Sequence, residues 1–202
     1  DTLASAHDLA AVLRARSRLP EAEAMHRRAL EGRQATLGAS HPSTLQSTNN
    51  LALLLQAAGK FDEAEKLHRA ALEASKRLLG DQHPDTLGSL HNLASLLAAR
   101  GSLPEAVALQ RSALDGRRRA LGSGHADCLR SLHGLGAILA AANNHEEAEA
   151  LLRQAWEGRQ RAFGEHHAET LQSLRCLANL LRDTARHEQA SPLYRNLLRH
   201  EA

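Results

Sequence analysis

The sequence contains few aromatic residues and few cysteines. Phe, Trp and Tyr together make up 2% of the 202 residues, whereas hydrophobic residues in total make up 43%. Leucine and alanine must therefore supply most of any buried core. The only cysteines are Cys128 and Cys176, which is too few for a disulfide framework. We expect both to be reduced, and we expect an intracellular, cytoplasmic protein.

The sequence also lacks long apolar runs and a strong excess of one charge. No stretch approaches the roughly 18 apolar residues that span a bilayer, so we expect no membrane insertion. The formal net charge is +2, which is too small to indicate nucleic acid as a partner. The basic run Arg117–Arg119 has no interleaved aromatic residues and is predicted to be a solvated helix face rather than a nucleic-acid site.

Catalytic and metal-binding motifs are missing as well. There is no glycine-rich phosphate loop, nucleophile elbow, HExxH helix or pair of CxxC motifs. Among the 13 histidines, four recur at a fixed spacing: His41, His83, His125 and His167. Equivalent residues of adjacent repeats should lie on the order of 10 Å apart, too far for one zinc ion with ligands at about 2 Å. We therefore predict helix-start histidines, no metal, no cofactor and no enzyme activity.

What the sequence has in abundance is internal repetition with a period of 42 residues. The opening motif recurs as HPSTL from His41, HPDTL from His83, HADCL from His125 and HAETL from His167. Such a period is typical of repeat arrays. The copies span approximately residues 1–40, 41–82, 83–124, 125–166 and 167–202. We predict that they form a single domain over residues 1–202, as part of a longer chain.

Each copy is predicted to form two helices. In the second copy Leu45, Leu51 and Leu55 recur at helical spacing, and Gly59 follows where the first helix should end. A second helical period then runs to Gly80. In the last copy Pro192 lies about one turn inside the second helix, so we expect that helix to start late or to bend.

Small residues recur at fixed positions of both helices, and they allow close helix packing. The first helices carry Ala52, Ala94, Gly136 and Ala178, and the second carry Ala64, Ala106, Ala148 and Ala190. Together with the sequence motif HPxTL…NNLALLL…GKFDEAEKLHRAALE…LG, this pattern resembles the tetratricopeptide repeat (TPR), specifically the 42-residue kinesin light chain subclass. The resemblance implies an all-α fold, a right-handed α-solenoid of five repeats, acting as a protein-interaction scaffold or adaptor.

The resemblance also implies that the inner face of each first helix lines a concave groove for peptides. Carrying the groove positions over to this sequence gives the candidate residues Asn49, His91, Ser95, Arg130, His133, Arg175, Asn179 and Arg182. In each first helix, four positions are expected to line this groove, and we call each position, taken across the copies, a groove column. None of the four columns contains an acidic residue, and copies three and four contribute small residues. Arginine binds carboxylates in a two-pronged manner, and histidine gains charge as the pH falls towards 6. We hypothesise an extended acidic peptide with one large apolar anchor.

Other interpretations of the same residues stay open. The groove positions could be solvated, or another subunit could fill them. The array could be a structural subunit of a larger multiprotein assembly, held through its edges and convex face. It could also regulate an enzyme that lies elsewhere in a longer chain. Asn50 and Asn92, one residue beyond a groove column, are predicted to bridge helices rather than to contact a ligand.

Overall fold

The computed structural model describes residues 19–201, and all of the regular elements in this range are α-helices. Their bounds are α1 Leu19–Leu37, α2 Pro42–Ala57, α3 Phe61–Leu79, α4 Pro84–Ala99, α5 Leu103–Leu121, α6 Ala126–Ala141, α7 His145–Phe163, α8 Ala168–Asp183 and α9 His187–Glu201. The predicted alternation of first and second helices is therefore confirmed from α1 onward. The first-copy groove positions Ala4, His7, Ala11 and Arg14 lie outside the described residues.

The chain divides into two compact units, Asp1–Gly101 and Ser102–Ala202. In the first unit α1 packs on α2, α2 on α3 and α3 on α4. In the second unit α5 packs on α6, and each helix from α6 to α8 packs on the next. Successive helix pairs of this kind confirm the predicted fold class, an α-solenoid of helical repeats. That the five copies form one domain stays a prediction.

The recurring histidines begin the first helices. His41, His83, His125 and His167 are the N-cap residues, and each Nδ1 accepts a hydrogen bond of 3.2 Å from the backbone amide two residues later. This contact satisfies an amide that has no partner inside the helix. The predicted capping role is confirmed. In residues 19–201 no group of three His, Cys, Asp or Glu side chains could hold a metal ion.

The small residues lie buried between packed helices. Ala52, Ala64, Ala94, Ala106 and Ala148 are completely buried. A methyl group added at Gly136 would lie 2.8 Å from Cγ of Leu152, which is closer than carbon atoms pack. Large leucines fill the remaining space, each contributing on the order of 2 kcal/mol of burial free energy. None of the helices described here has the length and apolarity that a membrane crossing requires.

Helix α9 begins at His187 and continues through Pro192 to Glu201. The expected late start is therefore wrong. The amides of Gln189 and Ala190 both donate to the carbonyl of Arg186 at 3.1 Å, so the first turn forms before the proline. Buried Ala190 also packs with leucines of α8. The proline removes one intrahelical hydrogen bond, which this packing offsets.

The turns inside the repeats use the left-handed backbone conformation. Gly59 and Gly101 have φ angles of 77° and 84°, as their position after a helix predicts. Asn143 takes the same place in the fourth copy, with φ at 61°. In the fifth copy the residue is Ala185, with φ at 60°. An L-residue with a Cβ atom is strained there by about 1–2 kcal/mol.

Replacing Ala185 by glycine should therefore stabilise the protein by about 1 kcal/mol, because it removes the steric strain of the left-handed conformation. Urea unfolding followed by circular dichroism measures the change. The matched control is Ala142→Gly, since Ala142 has a φ angle of −83°. That control should be neutral or destabilising. Equal stabilisation by both changes would contradict the strain at Ala185.

Two further helix glycines provide a paired test of the packing. Gly136→Ala should destabilise the protein by about 1–3 kcal/mol, because the new methyl group overlaps Leu152. Gly88→Ala should instead stabilise it by about 0.5–1 kcal/mol, since nothing lies within 4 Å of the added atom. Thermal unfolding of both variants checks the opposite signs. A stabilising Gly136→Ala would show that the helices are less closely packed than described.

Candidate functional site

In the first unit, the predicted groove residues are Asn49 on α2 and His91 and Ser95 on α4. Asn49 Nδ2 donates to Ser89 Oγ at 3.2 Å, and its Oδ1 lies 3.3 Å from Nδ1 of the buried His68. Half-buried Asn49 thus connects α2 with both α3 and α4. The Ser95 hydroxyl donates to the backbone carbonyl of His91 at 3.0 Å. Part of this face is therefore engaged within the fold.

In the second unit, His133 on α6 and Asn179 on α8 also contact neighbouring helices. His133 Nδ1 lies 3.2 Å from Ser173 Oγ of α8. Asn179 Oδ1 accepts a hydrogen bond of 2.6 Å from the Tyr194 hydroxyl of α9. Both side chains are half-buried, so each has one side against the next helix and one side towards solvent.

The candidate arginines lie on the more accessible part of the second unit. Arg130 Nη1 is 3.1 Å from Asp127 Oδ1, and Arg182 Nη2 is 2.8 Å from Asp183 Oδ1. The side chain of Arg175 is exposed. The groove columns contain no acidic residue, but Asp127 and Asp183, near helix ends, pair with Arg130 and Arg182. Ion pairs that water reaches contribute only about 0–1 kcal/mol, so a ligand carboxylate can compete for these guanidiniums.

Two further arginines are buried between helices. Arg117 Nη1 donates to Asp127 O at 3.1 Å and to Ser131 Oγ at 2.7 Å. The predicted solvated face is therefore wrong for Arg117, because this side of α5 packs on α6. Arg118 and Arg119 are exposed as predicted.

The second buried arginine, Arg159, repeats these contacts one period later. Its Nη1 donates to Glu169 O at 2.9 Å and to Ser173 Oγ at 2.8 Å, and its Nη2 lies 2.9 Å from Glu169 Oε2. Arg33 makes the corresponding contact with Ser47 Oγ. The recurrence of arginine at positions 33, 117 and 159 was the sequence signal that could have revealed this role.

The environment of the histidines differs from the expectation. Burial, with a smaller contribution from the charge of Arg159, lowers the pKa of His133 from 6.5 to about 4. Burial likewise lowers the pKa of His68 to about 4. The expectation that groove histidines gain charge near pH 6 is therefore wrong for His133, which stays neutral there.

No contact among these residues supports nucleophilic catalysis. Ser173 and His133 lie within hydrogen-bonding distance, but Ser173 is completely buried and accepts a hydrogen bond from Arg159. Cys128 is also buried, and burial raises the pKa of both its thiol and that of Cys176, which disfavours the reactive thiolate. Both cysteines are free, as predicted.

Comparisons with known proteins agree with this architecture. A family model for the tetratricopeptide repeat matches residues 1–77, 43–119 and 85–160. No curated protein matches the chain at a significant level.

Several solved structures resemble all or nearly all of the chain. Two crystal structures of nearly identical TPR-like repeats, from a protein of Podosopora anserina described as a kinesin light chain, are 28% identical over 100% of this chain and 95% of theirs. Their TM-scores are 0.79, for a form with a single substitution, and 0.76. BtubC (BKLC) from P. vanneervenii has a TM-score of 0.79 at 20% identity, over 97% of this chain and 78% of its own. The last match shows the fold alone.

The two buried histidines predict a defined acid sensitivity. Between pH 6.5 and about 4 the unfolded chain binds protons that folded His68 and His133 do not. Stability should therefore fall as the pH decreases through this window. Urea unfolding at several pH values measures it. His68→Gln, which copies Gln110 of the next repeat, should reduce the slope, whereas His166→Gln at a side chain that is 73% exposed should not. An unchanged slope in His68→Gln would contradict the prediction.

Proposed function

Because the chain belongs to the tetratricopeptide repeat family, with repeats of the kinesin light chain type, we propose that it is a non-catalytic adaptor that binds an extended acidic segment of a partner protein. Repeats of this family are typically scaffolds for protein partners. The observation that carries the proposal is the presence of three accessible arginines, Arg130, Arg175 and Arg182, at the predicted inner-face positions of α6 and α8. No acidic residue occupies any of those positions.

The arginines suit an acidic ligand for a chemical reason. A guanidinium presents a planar set of donors that matches a carboxylate with two parallel hydrogen bonds. Arg130 and Arg182 pair with aspartates that water reaches, and a ligand with several carboxylates can replace these contacts. The hydrogen bond to Asp183 raises the pKa of Arg182, so its guanidinium is positively charged at neutral pH.

Small residues on the same helices leave room for the proposed apolar anchor. Ala137 and Ala140 of α6 are half-buried and stand one and two turns beyond His133. In the first unit, Gly88 has open space around it, and Ser95 and Ala98 follow on the same helix. A large side chain of the ligand would bury apolar surface against Ala137 and Ala140 of the second unit, with a free-energy gain of roughly 25 cal/mol per Å².

One observation favours the alternative of a structural subunit held through an edge. Leu198 of α9 is 66% exposed, whereas Leu114 and Leu72, two and three periods earlier, are almost fully buried. An exposed leucine at a position that is buried in other repeats suits contact with a further helix. Under this alternative, the partner would contact Leu198 and leave the arginines untouched.

The proposal predicts that charge reversal on the inner face weakens the binding of an acidic probe. The probe is a fluorescein-labelled peptide with glutamates on both sides of one tryptophan, followed by fluorescence anisotropy. Arg130→Glu with Arg175→Glu should weaken its binding at least about tenfold, the equivalent of 1.4 kcal/mol. A version of the peptide with glutamine in place of glutamate should bind weakly to the unaltered protein.

The matched control is Arg153→Glu with Arg161→Glu, which reverses two exposed charges on α7. This variant should keep most of its affinity, because it changes the net charge equally but spares the inner face. Equal losses in both variants would mean non-specific charge attraction. Unchanged binding in the inner-face variant would refute the proposed site, and loss of a native partner only on Leu198→Glu would favour the structural subunit.

A further inference from the structure

The half-buried His133 is held by a chain of contacts that begins at a fully buried residue. Arg159 of α7 donates from Nη1 to Ser173 Oγ at 2.8 Å. Ser173 Oγ in turn lies 3.2 Å from His133 Nδ1. The carboxylate of Glu169, 2.9 Å from Arg159 Nη2, holds the guanidinium from its other side. The chain therefore runs from the packed face of α7, through α8, to the inner face of α6.

The positions of the protons in this chain follow from the donor properties of arginine. A guanidinium has five N–H donors and no acceptor, so the serine oxygen must accept from Arg159. The oxygen keeps a second lone pair, but among the hydrogen bonds of the described residues Ser173 Oγ has only Arg159 and His133 as partners. The hydroxyl proton of this buried serine is therefore satisfied only if Nδ1 of His133 accepts it. A neutral imidazole that accepts at Nδ1 carries its proton on Nε2. The contacts thus select one of the two neutral tautomers.

The first unit shows the converse arrangement at equivalent positions. Ser75, two periods before Arg159, occupies its place on α3, and Ser89 occupies the place of Ser173. With no guanidinium there, the oxygen of Ser89 accepts its hydrogen bond from Asn49 Nδ2 at 3.2 Å. The serine therefore accepts from the inner-face residue in one unit and donates to it in the other. The difference follows the buried residue on the second helix.

We propose that Arg159, acting through Ser173, is a positioning residue that fixes His133 as the neutral Nε2–H tautomer. His133 then offers one hydrogen-bond donor to an uncharged acceptor, such as a carbonyl oxygen of a bound peptide. This inference rests on the proposed function for the ligand, but the tautomer itself does not. In the second unit, Arg130, Arg175 and Arg182 would thus bind carboxylates of the ligand, and His133 would bind a carbonyl.

The tautomer is measured directly by long-range proton–nitrogen NMR of protein labelled with ¹⁵N-histidine at neutral pH. His133→Gln identifies the signals by their loss. We expect Nδ1 to resonate as an unprotonated nitrogen and Nε2 as a protonated one. In Ser173→Ala the two nitrogen shifts should move towards each other, because the tautomers then exchange. Arg159→Met should have the same effect, since Ser173 can then accept from Nδ1. If Arg159→Met does not fold, Ser173→Ala alone decides between the outcomes.

The matched control is Ser131→Ala, which removes an equally buried serine that accepts from Arg117 at 2.7 Å. It should leave the His133 signals unchanged. A protonated Nδ1 in the unaltered protein would overturn the proposal, as would an unchanged tautomer in Ser173→Ala.

A second set of spectra tests the ligand. Addition of the glutamate–tryptophan peptide should shift Nε2 more than Nδ1, and a larger shift at Nδ1 would overturn the assignment of the donor. If the peptide does not bind at all, the acidic-segment proposal fails while the tautomer result stands. If the peptide binds through the arginines but His133 has the other tautomer, only the present inference fails.

Discussion

Close approach of neighbouring helices at alanine and glycine is the constraint on which the rest of this structure depends. With few aromatic residues, the packed faces consist of leucines that interlock around completely buried alanines such as Ala64 and Ala148. Each helix is therefore stabilised by the helices next to it rather than by one central core, as expected for a repeat array. The inner faces share only partly in this packing: Asn49 and His133 are half-buried and contact neighbouring helices, whereas Arg175 is exposed.

Buried arginines add a polar constraint to this packing. A buried charge is costly unless it is paired and hydrogen-bonded, and Arg159 meets a carboxylate, a carbonyl and a hydroxyl of α8. These acceptors stand in the first two turns of the helix, so they fix its rotation about its own axis. Arg117 does the same for α6. The candidate ligand-binding residues Arg130 and Arg175 are on these same two helices, α6 and α8.

The sequence predicted the features that depend on local pattern. The 42-residue period, the helix pairs, the capping histidines and the alanine positions follow from spacing alone. The buried positions of Arg117 and Arg159 could not be predicted from charge, because arginine is usually exposed and only its pairing across two helices justifies burial. The lowered pKa of His133 was also missed, because it results mainly from burial of the imidazole, which depends on packing between helices. The normal start of α9 depends on the Arg186 carbonyl. Ala185 takes the left-handed conformation that glycine takes at the same position of the second and third copies.

The inner face of one repeat cannot be understood from its own residues alone. Asn49 and His133 occupy equivalent positions and each lies 3.2 Å from a serine of the next repeat. Asn49 donates to its serine, whereas under the proposed tautomer His133 accepts from its own. In that proposal the difference follows from Ser75 or Arg159, neither of which is on the inner face. A substitution in the packed layer can therefore change the hydrogen-bonding character of the ligand face without changing any residue on it.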